Sequence, residues 1–107
     1  MDTALDIFQD GNYDIAMSYY FYILECSDKG YYYGSTANLK ERINRHNQGR
    51  VSSTRYRRPV RLVYFEEVTS RSDALKREKC FKSGRTRKTT RDRLIKEFPV
   101  EKLRPYQ

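Results

Sequence analysis

The sequence predicts an α+β domain, a small three-stranded antiparallel sheet flanked by helices in the order β-β-α-β-α-α. Two observations lead there. Residues 19–36, YYFYILECSDKGYYYGST, read as two aromatic, β-prone runs joined by a turn. A third such run, VRLVYFEEV over residues 60–68, is reached only across a segment with helix start and stop signals, and two more helical segments follow it. With 107 residues the chain is long enough for one modest core.

The elements follow in order. Residues 1–17 form an acidic N-terminal extension, with DTALDIF as a short helical turn capped by Asp2 and DGNYD as a turn. The domain proper is expected over residues 18–98, beginning just after Met17. In the hairpin, side-chain alternation puts Tyr20, Tyr22 and Leu24 on one face and Phe21 and Ile23 on the other, while on the returning strand Tyr32 and Gly34 align opposite to Tyr31 and Tyr33. Phenols therefore lie on both faces, more than one small core can hide, so some hydroxyls are expected in a polar cleft. NLKERINRHNQG reads as a helix of about ten residues: Asn38 caps it, Glu41 completes the box, Leu39 and Ile43 make its apolar stripe, and Gly49 stops it. RVSSTRYRRP has no period and reads as a mobile basic loop. After the third strand, Ser70 and Asp73 open a second helix that stops at Gly84. A third spans residues 89–98, with Thr89 and Asp92 as its box and Pro99 as its stop, leaving residues 99–107 as a tail.

Charge narrows the partners. The chain has 22 Lys and Arg against 14 Asp and Glu, and Asp2, Asp6, Asp10 and Asp14 lie in a leading segment without a base. Residues 17–107 thus set 22 cations against ten acids, a net +12 that attracts polyanions and makes nucleic acid the leading partner. General solubility is the plainer reading of the same balance. There is no apolar run of the roughly 20 residues a membrane helix needs, and no secretory signal pattern, so cytoplasmic residence with reduced Cys26 and Cys80 is expected.

Packing leaves a few residues unexplained. Arg42 and His46 are four apart, hence on one helix face beside the Leu39/Ile43 stripe, and His46 is the one histidine of the chain. Singly, each reads as an ordinary rim residue. The second helix carries Glu78 within the stripe Ala74, Leu75, Phe81, where a carboxylate needs a cation, a metal or good hydrogen bonds. An ion pair with a neighbouring arginine and metal ligation are equal alternatives at this point.

Together these positions resemble the GIY-YIG endonuclease superfamily, and within it small single-domain proteins similar to the N-terminal nuclease domain of the bacterial excision-repair incision enzyme. The first triplet stands as Tyr20-Phe21-Tyr22 and the second as Tyr32-Tyr33-Gly34, followed by Arg42, His46 and Glu78 over residues 19–95. Tyr20 replaces the first glycine of the name and Tyr33 the second isoleucine, and the late asparagine of several members is missing, with Lys82 a possible stand-in. The resemblance implies DNA phosphodiester hydrolysis with little sequence specificity, using one divalent metal, Mg²⁺ or Mn²⁺, and no organic cofactor. It implies Glu78 as metal ligand, Arg42 on the scissile phosphate, His46 taking or relaying a proton, Tyr22 as general base and Tyr32 as its positioning partner. Gly34 would leave room for the substrate backbone. Tyr19, Tyr31 and Tyr33 would be packing or base-stacking surfaces.

The remaining cations form an expected DNA track: Arg45, Arg55, Arg57, Arg58, Lys82, Arg85, Arg87 and Lys88, with Arg61, Arg91 and Arg93 nearby, can follow phosphates without reading bases. A competing reading keeps the same fold as a catalytically inert basic nucleic-acid-binding module. A third makes the acidic residues 1–16 a flap over the basic cleft, and a plainer one starts the functional chain at Met17.

Overall fold

The computed structural model describes residues 18–107, so the expectations for residues 1–17, the acidic extension and its flap included, lie outside the described residues. β1 (Tyr19–Glu25) is the central strand, hydrogen-bonded on one side to β2 (Tyr31–Thr36) and on the other to β3 (Arg61–Val68), both antiparallel, giving the order β2-β1-β3. The expected α+β architecture is the one observed.

Alternation along β1 sorts its side chains onto two cores. One face gathers Tyr22 and Leu24 with Leu39 and Ile43 of α1 (Leu39–Asn47), Leu62 and Leu103. The other gathers Phe21 and Ile23 with Phe81 of α2 (Arg71–Lys82), and Leu94 and Ile95 of α3 (Lys88–Glu97) lean on it. Phe21, Tyr22, Ile23 and Leu24 are consequently all 0% exposed. At about 2 kcal/mol for each fully buried large side chain, this run is the main anchor of the domain. A sheet covered on both sides hides more rings than a single core, and Tyr31, Tyr32 and Tyr33 on edge strand β2 are left half-buried.

The helix signals are mostly as expected. Asn38 accepts from Glu41 N at 3.1 Å and Ser70 from Asp73 N at 3.1 Å, satisfying first-turn donors. Gly49 and Gly84 follow α1 and α2 at φ +77 and +82, a conformation in which glycine carries no Cβ penalty. α3 departs from expectation: it starts at Lys88 behind Arg87, which makes no side-chain cap bond, so the Thr89/Asp92 box does not form. Leu75, expected in the stripe of α2, is 41% exposed.

The segment read as a mobile loop and the one read only as a tail are both packed. In the loop after α1, Val51 and Thr54 are buried and Arg55–Arg57 form a 3-10 turn. Arg57 grips Asp28 of the β1–β2 turn with Nε at 2.7 Å and a second nitrogen at 3.2 Å. The tail folds back in two 3-10 turns, burying Leu103 and setting Tyr106 edge-on to Phe65 at 5.6 Å. Both segments depend on partners distant in sequence, which local propensity does not register.

Candidate active site

The deepest part of the site is a chain of hydroxyl, imidazole and phenol. His46, on the inner face of α1, is 0% exposed. Its Nε2 lies 2.9 Å from the Tyr22 hydroxyl and its Nδ1 2.8 Å from Thr54 Oγ1. Burial, with the Arg42 charge adding to it, pulls the imidazole down to about 4, so it is neutral at pH 7 and each nitrogen has one role, donor or acceptor. Tyr22 is enclosed as well, and burial pushes its phenol well above the ordinary range, with Tyr32 adding and Arg42 opposing. Gly34 lies directly across the ladder from Tyr22. A Cβ at residue 34 would stand 2.5 Å from both Cζ and the hydroxyl oxygen of Tyr22, so the space that Gly34 leaves is filled by that ring, not kept open for substrate.

Arg42 joins this chain to the surface. Its Nε donates to the Tyr22 hydroxyl at 3.4 Å, and although burial lowers its pKa, hydrogen bonding and attraction from Tyr22 and Tyr32 raise it above the usual value. Tyr32, half-buried, packs edge-on to His46 at 4.9 Å and at 6.2 Å from the Tyr22 ring. Of the two nominated phenols, Tyr32 is the one with solvent access.

The carboxylate arrives from the other face of the sheet. Ser35, next to Gly34 on edge strand β2, donates to Glu78 Oε1 at 2.7 Å, and Lys82 Nζ holds Oε2 at 2.6 Å. Lys82 also stands 5.8 Å from the Tyr32 ring centre, linking Glu78 to the phenols around the strand edge. Tyr22, Tyr32, Arg42 and His46 thus lie on one side of β2 and Glu78 on the other, with bare Gly34 between. The ion pair foreseen for Glu78 exists, with Lys82 rather than an arginine. Thr54 and Ser35 were missed by sequence reasoning. Alternation does set Ser35 on the Phe21 face toward α2, a usable signal, whereas nothing local marks Thr54.

Whether these residues fit Mg²⁺ or Mn²⁺ is decided by the donor set. Among the described residues there is no cluster of three His, Cys, Asp or Glu side chains able to hold an ion. Glu78 alone, with its side chain 16% exposed, offers a hard oxygen, and Lys82 already shows that a cation is favoured there. One carboxylate suits an ion that keeps most of its waters, as Mg²⁺ does, and does not suit zinc.

The expected DNA track divides. Arg55, Arg58, Arg85, Arg87 and Lys88 are exposed. Arg85 and Lys82 share a cleft of about 630 Å³ with Lys76, Lys79, Cys80 and Ser83. Arg57 is engaged by Asp28, and Arg45 is half-buried with its Nε unpartnered among the described residues. Tyr31 and Tyr33 are both met by Arg91, at 4.5 Å from the Tyr31 ring centre and 3.2 Å from the Tyr33 hydroxyl. No helix of the described residues is long and apolar enough to cross a membrane.

The chain is similar to several known proteins. A UPF0213 protein of Streptococcus pyogenes serotype M5 is 46% identical over 69 residues, 64% of this chain and 75% of the relative. A UPF0213 protein of Syntrophus aciditrophicus is 45% identical over 82 residues, 75% of this chain and 92% of the relative. The solution NMR structure of a UPF0213 protein from Bacillus halodurans is 32% identical, with a TM-score of 0.45 over 75% of this chain and 84% of that one. Residues 18–93 match the GIY-YIG catalytic domain, a nuclease-type family, and the chain belongs to that family.

Proposed function

We propose that this chain is a divalent-metal-dependent endonuclease that hydrolyses DNA phosphodiester bonds with little sequence preference. The observation that carries the reading is the meeting of two phenols, a guanidinium, an imidazole and a carboxylate at one edge of the sheet, under a strongly basic surface. Phosphodiester cleavage needs a proton acceptor for water, donors for the phosphate oxygens and charge relief for the leaving oxygen. Arg42, with its fork of donors, would hold the scissile phosphate. Tyr32 would take the water proton, because it is the phenol that solvent reaches. This reverses the order expected from sequence, in which Tyr22 was the base: enclosure disfavours the Tyr22 phenolate and keeps water from it. Tyr22 and His46 would instead fix Arg42 from beneath, and Thr54 would fix the imidazole. Glu78 would hold the metal, with Lys82 turning from the carboxylate to the DNA. When bound, Mg²⁺ or Mn²⁺ would supply the Lewis acidity that neutralises charge on the phosphate and leaving group.

Incubation of labelled single-stranded and duplex DNA with Mn²⁺ tests the reading. Wild type should nick, and Glu78→Gln should be slowed by at least about a hundredfold, as expected for loss of a preorganised electrostatic element. Equal nicking by both would overturn it. The inert binding module remains the second reading, favoured by the Lys82 ion pair that satisfies Glu78 without a metal. It predicts DNA binding, no turnover, and affinity unchanged by Glu78→Gln.

A further inference from the structure

We infer that Tyr56 is a stacking platform for one unpaired base of the DNA strand being cut. This deepens the proposed nuclease reading and rests on it. Tyr56 is 87% exposed, and among the described residues no other aromatic side chain is exposed. An isolated surface tyrosine would mean little, but this one stands on a braced loop in a basic setting.

The loop is braced before and after Tyr56. Thr54 is buried against His46, and the Arg57 carbonyl accepts from Ser27 N at 2.9 Å while its guanidinium grips Asp28. Arg58 Nε donates to the Arg55 carbonyl at 2.8 Å. Asn47 and Val60 exchange two hydrogen bonds, at 3.0 and 3.2 Å. A partner meeting Tyr56 therefore does not have to order a floppy segment first, which removes one of the usual entropic costs of association.

The chemistry of the hollow beside it specifies the partner. A space of about 470 Å³ is lined by Asn47, Arg55, Tyr56, Arg58 and Pro59, with two guanidinium groups and no acid. The Arg55 guanidinium carbon is 5.6 Å from the Tyr56 ring centre. A flat π face flanked by guanidinium groups and an amide matches a nucleobase together with its phosphates. Bases inside a duplex already stack on their neighbours, so the ring selects a base that is unpaired, as in a single strand, gap or flap. Tyr56 is two residues from Thr54, whose hydroxyl braces His46, so the loop that carries the ring is joined to the candidate site.

Anisotropy of a labelled oligothymidylate in EDTA, where cleavage is suppressed, tests this without requiring turnover. Tyr56→Ala should bind about tenfold more weakly and Tyr56→Phe within about twofold of wild type, while duplex affinity changes by less than about twofold. The chain has no tryptophan, so Tyr56→Trp gives a single reporter. Its fluorescence should be quenched by oligothymidylate and not by an abasic strand of equal charge. Wild-type affinity in Tyr56→Ala, equal weakening on strand, abasic strand and duplex, or no quenching would each overturn the inference. Nicking by wild type scores the nuclease reading separately, and the thermal midpoint of Tyr56→Ala, expected to be unchanged for so exposed a side chain, guards against misfolding.

Discussion

Protonation of His46 can be followed directly, since the chain has one histidine and its Cε1 proton gives one NMR signal. The wild-type midpoint should fall at about 4 instead of the ordinary 6.5, because burial first and Arg42 second oppose the charge. Arg42→Met removes the smaller cause, so its midpoint should rise but stay below 6.5. Above pH 6.5 folded and unfolded chains both hold the ring neutral and its contribution is complete. As pH falls toward 4 the unfolded chain takes a proton that the folded chain refuses, and stability declines. At 1.36 kcal/mol per pH unit this amounts to about 2 kcal/mol by pH 5, a large part of the roughly 5–15 kcal/mol available to a domain. The charged and titratable neighbours of the ring are Tyr22 from β1, Tyr32 from β2 and Arg42 from its own helix; burial raises the Tyr22 phenol, and against the pull of burial the two phenols hold Arg42 above its usual value, so Tyr22 and Arg42 keep their charge states in that interval. Glu66, held low by Arg77 and Tyr64 against the upward push of burial, and Asp28, held low by Arg57, lose their stabilisation only at more acid pH. Urea unfolding between pH 7 and 5 should therefore slope in wild type and flatten in His46→Gln. A midpoint near 6.5, or equal slopes in the two proteins, would refute the enclosed, neutral imidazole.

Three further substitutions probe the site. Gly34→Ala forces a methyl into the pinned Tyr22 ring and should cost about 2 kcal/mol, seen as a drop of roughly 10 °C in Tm. Thr54→Val keeps the shape but strips Nδ1 of its partner, costing about 1–3 kcal/mol in urea unfolding and altering the imidazole ¹⁵N shifts that report the tautomer. Lys82→Met frees the Glu78 carboxylate, so Mn²⁺ binding followed by electron paramagnetic resonance should tighten several-fold while DNA affinity weakens; unchanged Mn²⁺ affinity would separate Lys82 from the metal position.

What was legible in the sequence was what alternation and capping encode. The two faces of β1, the hairpin, the first two helices and the inward Glu78 all follow from local periodicity, whereas the grouping of Tyr22 with Tyr32 came from the family resemblance. Thr54 and Leu103 were not legible, because each is buried by a neighbour distant in sequence, His46 for one and the sheet for the other. The standing of Tyr22 also depended on tertiary enclosure: its position was readable, but the covering that removes it from water was not. Lys82 was read as a stand-in for the late asparagine and as part of the DNA track, and its pairing with Glu78 one turn earlier was not foreseen.

Because Tyr22 and Gly34 are paired across the ladder, the two family triplets are coupled by a dimension of the sheet and not by the number of residues between them. Extra residues inserted at the tip of the hairpin would leave the phenol seated, although they would displace Asp28 and slacken its hold on Arg57. A change at either member of the pair is another matter, since a larger residue at one position requires a smaller one at the other. The two triplets are therefore one steric unit, a plug and its socket, and drift in either during descent is constrained by the other.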